Sequence, residues 1–291
     1  GEHYLQLSQT EKDMVDMVCD NFDDVIVIYN GANQFELGFT DEYPQIKSVV
    51  WCPGTGNVGF NALGKVFSGE VNPSGKTPDT FIYDMTTAPW WNNGEKIEYT
   101  NLADMAVEGM NAGSPQVYAP AFTNYVEGIY VGYKYYETAA QEGFIDYDKT
   151  VQYPFGYGLS YTEFEQKMGE LEEKDGQISV DVEVTNTGDV AGKDVVEVYY
   201  NPPYTNGGIE KASANLIEFA KTDLLQPGDS QTVTVTFDVE DMASYDENDA
   251  EAYVLEKGDY VISINRDSHT VLDQKTYTVD DTCLLYTSDA A

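Results

Sequence analysis

Up to about Phe164 apolar residues come in short unbroken runs alternating with helix-spaced stripes; beyond it they fall at every second position. The first helix is announced by Ser8-Gln-Thr-Glu11, a capping box in which serine and glutamate each satisfy a free backbone N–H. Met14, Val15, Val18, Cys19 and Phe22 then form a stripe at helical spacing. Val25-Ile-Val-Ile-Tyr29 is apolar throughout, as expected of a parallel strand covered on both faces. Asn30-Gly-Ala-Asn33 reads as a loop, residues 34–39 as a short helix, and Ile46 to Cys52 as a second buried strand. Pro53 to Phe81 continues as glycine loop, helix and proline–glycine turn. This rhythm is that of an open α/β sheet.

Between residues 84 and 125 the periodicity is lost, and the composition is that of a loop insertion with a helix expected over 101–110. Tyr125 to Tyr136 is dense in aromatic and small residues, and Gln152 to Thr162 reads as a shaped connector rich in Pro and Gly. After it, Ile178, Val180, Val182 and Val184 alternate with polar residues, as do Val233, Val235, Phe237 and Val239, while Val196, Val198 and Tyr200 make another strand and Tyr260, Ile262 and Ile264 a further one. Turns such as Gln226-Pro-Gly-Asp229 separate them, the signature of an antiparallel β-sandwich. The expected architecture is therefore an open-sheet α/β unit (a partial α/β sandwich) over residues 1–165, then an all-β sandwich of the immunoglobulin or fibronectin III kind over 166–280. Residues 281–291 fit neither pattern and read as a non-native tail.

Charge narrows the partners. Acidic residues outnumber basic ones 51 to 15, a formal net charge of −36 over 291 residues. Such a surface repels phosphate backbones and anionic lipid, whereas a neutral polar molecule such as a sugar meets no penalty. Cys19, Cys52 and Cys283 are widely spaced and belong to no Cys/His cluster, so neither a metal site nor a cofactor is expected. No apolar run approaches the ~18–20 residues of a membrane span. The chain begins at Gly1 and reads as a piece of something longer, which leaves its location, cytoplasmic or secreted, open.

Gly54, Gly56 and Gly59 spell G-x-G-x-x-G between strand and helix, the local context of a dinucleotide site, and Asp79 stands near where a ribose-binding acid falls. That acid should end a second strand, but Asn72-Pro-Ser-Gly-Lys-Thr-Pro78 breaks any strand before it. A Walker reading fails at Val66, where the motif needs Ser or Thr. The glycines are better read as allowing a close turn and helix–sheet packing.

The stretch PGTGNVGFNALGKVFSGEVNPSGKTPDTF (Pro53–Phe81) resembles the P-G-x-x-G…N-P-S-G-K-x-P-x-T run of glycoside hydrolase family 3, the β-glucosidase family. Glu127-Gly-Ile-Tyr-Val-Gly-Tyr-Lys-Tyr-Tyr136, Tyr153-Pro-Phe-Gly-Tyr-Gly-Leu-Ser-Tyr-Thr162 and, in the sandwich, Val184-Thr-Asn-Thr-Gly188 and Leu225-Gln-Pro-Gly-Asp229 are similar to it too. The resemblance runs from Tyr4 to about Tyr277. It implies an α/β sandwich domain, here N-terminally truncated, followed by a fibronectin type III-like domain. It further implies a retaining β-glycosidase acting on terminal β-D-glycosyl residues of oligosaccharides, whose two carboxylates stand ~5–5.5 Å apart.

The catalytic pair is not expected within this chain. The family's nucleophile is an Asp in an S-D-W/F context on a (β/α)8 barrel; the one Ser-Asp here, Ser288-Asp289, lies in the tail before Ala290. The family's acid/base Glu lies in S-E-G-x-D, and the nearest counterpart, Glu2 in Gly1-Glu-His-Tyr4, lacks the following Gly and the later Asp. An ordinary exposed glutamate is the plainer reading of Glu2, with the acid/base upstream. The chain is then expected to be inactive alone and to partner the missing barrel. Trp90-Trp91, flanked by Asn92-Asn93, are the candidate substrate contacts, since flat rings cover the apolar face of a sugar while amides bond its hydroxyls. The competing reading is that they cap the sheet or dock on the barrel. Glu127 reads as a structural acceptor and Tyr130 to Tyr136 as core and domain interface. Two other functions stay open at this point: a stand-alone carbohydrate-binding module over Gln177 to Val279, whose strands offer few exposed Trp or Phe, and a nucleotide-binding enzyme.

Overall fold

The computed structural model describes residues 3–93, 97–111, 113–118 and 121–285. Helix α1 (Gln9–Asn21) begins as its sequence dictates, with the Ser8 side chain accepting from the Glu11 N–H and the Glu11 carboxylate accepting from the Ser8 N–H at 2.8 Å. An N-cap hydroxyl contributes about 1 kcal/mol, so Ser8→Ala is expected to speed hydrogen exchange of the α1 amides roughly fivefold. Strands β1 (Val25–Tyr29) and β2 (Ile46–Trp51) pair in parallel, with Val27 opposite Val49. The expectation that β1 is covered on both faces is not met. Val25, Val27 and Tyr29 are half-buried, whereas Ile26 and Ile28 are 51% and 44% exposed. Helix α2 (Phe60–Phe67) follows the glycine loop, where Gly56 takes φ +59°, and buries none of its residues.

The expected helix over 34–39 is replaced by a 3-10 turn at Gly38–Asp41. Strand β3 (Phe81–Ile82) is fully buried. In the insertion, β4 (Ile97–Glu98) and a single helical turn α3 (Leu102–Met105) precede a hairpin of β5 (Val107–Asn111) and β6 (Ser114–Tyr118), and β7 (Ala121–Phe122) returns to β4. The helix expected over 101–110 stops short of Met110. The chain leaves it at Ala106, and Gly109, a poor helix former, pairs with Gln116 across the hairpin. Helices α4 (Tyr133–Gln141) and α5 (Tyr147–Thr150) lead into β8 (Val151–Tyr153), which pairs with β3. Leu5, Ile82, Met85, Tyr136 and Val151 make the small core of this unit.

The second unit is a sandwich. One sheet has the order β13-β10-β9 and the other β12-β11-β16-β17, where β9 is Phe164–Lys174, β10 Gln177–Asn186, β11 Val195–Asn201, β12 Asn215–Lys221, β13 Ser230–Asp238, β16 Gly258–Asn265 and β17 Val271–Val279. The alternation fixes the register: Ile178, Val180 and Val182 oppose Phe237, Val235 and Val233. Those residues, with Val196, Val198, Ile262 and Ile264, fill the core between the sheets. Each fully buried Val or Ile there contributes about 1.5–3 kcal/mol of transfer free energy. A third small sheet, β14 (Ser244–Asp246), β15 (Ala252–Leu255) and β18 (Cys283–Leu285), flanks them. Residues 283–285, read from sequence as part of a non-native tail, thus supply a strand, with Leu284 opposite Val254.

Strand β11 departs from simple alternation. Val195 through Tyr199 are buried at consecutive positions. The α/β unit lies on the outer face of this sheet, so Glu197 and Tyr199, which a free-standing sandwich would expose, are only 4% and 1% exposed.

Candidate functional site

The two longest motifs of the α/β half form one object. Asn72 donates from Nδ2 to the Ala191 carbonyl (3.1 Å), and its Oδ1 accepts from Ser160 Oγ (3.0 Å) and the Tyr161 N–H (2.8 Å). Thr77 donates its N–H to the Tyr157 carbonyl (2.7 Å) and accepts the Gly156 N–H on its own (2.8 Å). A side chain at Gly158 would collide with the Gly75 carbonyl, which is why glycine stands there. The turn Asn72–Lys76 and the connector Tyr153–Thr162 therefore clasp each other. Lys76 and Lys221 fasten the clasp by donating to the Arg266 (3.3 Å) and Ser74 (3.1 Å) carbonyls. The role of these residues is to weld the domains.

Of the candidates named from sequence, Glu2 lies outside the described residues, as does Ser288-Asp289. Its neighbour His3 is placed. His3 Nδ1 accepts the Leu5 N–H (3.2 Å), so Nε2 carries the proton and donates to Glu36 Oε1 (3.1 Å), which also accepts the Met85 N–H (2.7 Å). The edge of the His3 ring meets Trp91, with centroids 4.7 Å apart. Trp90 and Trp91 are half-buried and pack on the Leu5–Met85 core. Residues some 88 positions apart in sequence thus share one edge of the domain. Glu127 is half-buried and its backbone carbonyl accepts from Tyr130 (2.9 Å).

The tyrosine-rich helix α4 serves both core and interface. Tyr136 enters the small core, while the Tyr133 hydroxyl accepts the Leu216 N–H (2.8 Å) and its ring stacks on Phe155 at 4.6 Å. One turn on, buried Glu137 accepts three hydrogen bonds: from Tyr147 Oη (2.6 Å), Ser268 Oγ (2.8 Å) and His269 Nδ1 (2.8 Å). The imidazole lies flat on the Tyr147 ring, 3.6 Å between centroids. The Glu137 hydrogen bond raises the pKa of His269 against the opposing effect of burial, and burial raises that of the Tyr147 hydroxyl, which stays a donor. On the neighbouring strand Glu197 Oε2 accepts from Tyr199 Oη (2.9 Å) and lies against Gly156. Burial pushes its pKa up to about 7, although the Tyr199 hydrogen bond and Lys76 pull the other way. Among the described residues no group of three or more His, Cys, Asp or Glu could hold a metal ion, and no helix is long and apolar enough to cross a membrane.

Residues 2–133 match the glycosyl hydrolase family 3 C-terminal domain, and residues 194–268 match the fibronectin type III-like domain. The chain belongs to glycoside hydrolase family 3. A β-glucosidase of Ruminococcus albus is 34% identical over 282 residues, covering 95% of this chain and 26% of the relative. β-Glucosidase A of Butyrivibrio fibrisolvens is 36% identical, covering 89% of this chain and 30% of the relative. Among solved structures, β-glucosidase 3B of Thermotoga neapolitana in complex with α-D-glucose superposes with a TM-score of 0.80 at 29% identity, over 97% of this chain and 35% of its own. A β-glucosidase of Paenibacillus barengoltzii gives 0.81 at 32% identity, over 98% and 29%. The chain thus spans about a quarter to a third of the relatives it matches.

In this family 3 chain the motifs that carried the resemblance are welds, and the polar network around Glu137 was invisible beforehand. Glu137 and His269 stand 132 residues apart, and no spacing rule joins them. The available signal was Glu137 four residues after Tyr133, a carboxylate on the same face of an aromatic helix.

Proposed function

We propose that this chain is the non-barrel part of a retaining β-glycosidase of the β-glucosidase type. The complete enzyme removes terminal non-reducing β-D-glycosyl residues from oligosaccharides. Its nucleophilic Asp is supplied by a (β/α)8 barrel and its acid/base Glu by an S-E-G-x-D segment, both outside this chain, so the chain alone is inactive. The observation that carries the reading is apolar surface left exposed among the described residues of the two-stranded unit. Ile26 and Ile28 of β1, Met14, Met17 and Phe22 at α1, and Val58 and Phe60 at α2 are 44–73% exposed. A two-stranded parallel sheet does not stand uncovered, because parallel strands are stable only with both faces packed. Further strands and helices of the same domain supply that cover. Trp90 and Trp91, beside His3, are the residues of this chain that meet the sugar.

Joining the chain to a family 3 barrel carrying S-D-W, together with the S-E-G-x-D segment, is expected to give hydrolysis of an aryl β-glucoside that neither part shows alone. In that enzyme Trp91→Ala raises KM. A folded joined protein without activity would sink the proposal.

A further inference from the structure

A cleft runs along the seam where α4 lies on the sandwich. Its two ends are cavities of about 450 and 370 Å3, and Gln141, Asn201 and Ser213 wall both. Both volumes fall within the ~300–1,000 Å3 typical of small-molecule sites. One end is polar. The Gln141, Asn201 and Gln274 amides, which line this end, lack a side-chain partner among the described residues. His269 commits Nδ1 to Glu137, which leaves Nε2 as the remaining polar atom of its ring. The other end is aromatic, with Phe144 81% and Tyr204 43% exposed.

These walls select by chemistry. A wholly apolar ligand would displace water from the Gln141, Asn201 and Gln274 amides and from His269 Nε2 without replacing its hydrogen bonds. An anion would face Glu137, Glu142 and Glu210 on a chain of net charge −36, while the one cation among the described lining residues, Lys211, is committed to Glu256 and the Pro203 carbonyl. Planar amides and an imidazole edge match adjacent hydroxyls, and exposed rings match the C–H face of a pyranose. We propose that this interdomain cleft binds a neutral saccharide, with hydroxyls on Asn201, Gln274 and His269 at one end and a sugar face on Phe144 and Tyr204 at the other. The ligand class is that of the proposed function, but the site is built wholly from this chain.

Isothermal titration calorimetry of the chain alone with cellobiose and cellotetraose tests it. Saturable heat is expected, with cellotetraose the tighter ligand because it reaches both cavities. Phe144→Ala and Tyr204→Ala should each weaken cellotetraose about five- to tenfold. Both rings are exposed, so the circular dichroism of these variants should match the unsubstituted chain. No saturable heat with either sugar, or affinity untouched in both variants, overturns the cleft. A joined enzyme that hydrolyses glucosides while the chain alone gives no heat defeats the cleft and spares the proposed function. Binding by the chain with an inactive joined enzyme does the reverse.

Discussion

Replacing Glu137 by alanine is expected to lower the unfolding free energy by about 2–3 kcal/mol, the cost of leaving buried and half-buried hydrogen-bond donors without their acceptor. Three donors converge on that carboxylate, two of them on Oε1 (Tyr147 and Ser268) and one, His269, on Oε2. Ser268 and His269 come from the sandwich and Tyr147 from α5, so the same change unpairs donors on both sides of the domain seam, of which Ser268 is buried, Tyr147 half-buried and the His269 side chain 44% exposed. Glu137→Gln should cost less, about 1 kcal/mol. Its oxygen can keep Tyr147 and Ser268, while its amide donates to the unprotonated Nδ1 of a neutral imidazole. Both variants should bring the His269 pKa down, because the hydrogen bond that raises it is gone. The chain has two histidines, so proton NMR follows His269 directly. The sign for stability is fixed by the same shift. The raised pKa means that the imidazolium's contribution is present below its ordinary value near 6.5 and is lost as pH climbs through the folded value. All three tryptophans, Trp51, Trp90 and Trp91, lie in the α/β unit, so urea unfolding followed by fluorescence reports that unit, and circular dichroism adds the sandwich. Unchanged unfolding in Glu137→Ala would remove the cluster from the forces that hold the seam.

How much of this was legible beforehand depends on whether a face met water or another part of the protein. In β10 and β13 one face is wet, so Val180, Val182, Val233 and Val235 announced themselves by alternation. In β11 the outward positions Glu197 and Tyr199 read as wet too, and nothing local reveals that the α/β unit covers them. The error at β1 runs the opposite way. Its unbroken apolar run states that two faces were meant to be covered, and in this chain Ile26 and Ile28 remain open. Sequence there described a larger assembly than the chain contains. The clasp shows a third case, since N-P-S-G-K and Y-G-L-S-Y-T were each recognisable as family motifs, yet their common purpose appeared only when Asn72 was seen bonded to Ser160 and Tyr161. The candidate site was the least legible. Trp90 and Trp91 could be singled out by composition, but their placement against His3 depends on a long-range fold.

Glu197→Gln is expected to leave stability near pH 4.5 almost unchanged and to raise it by about 3 kcal/mol at pH 8. Glu197 sits where a carboxylate is costly. The Tyr199 hydroxyl supplies one hydrogen bond, Lys76 a more distant charge, and Asp267 and Asp194 add repulsion, so burial dominates and the pKa rises to about 7. An acid whose pKa is higher in the folded than in the unfolded state holds its proton more tightly when folded. Folding is therefore undisturbed below the unfolded value near 4.5, and stability is lost as pH rises from there through 7. The amide is neutral at every pH and can still accept from Tyr199, so the variant escapes that loss. His269 titrates alike in both proteins, and the difference between them at each pH isolates Glu197. Paired urea titrations at pH 4.5, 6, 7 and 8 should show the gap opening with pH. A gap that is constant across the series would mean that Glu197 is charged in its seat beside Gly156, and the seam would then owe none of its pH dependence to this strand.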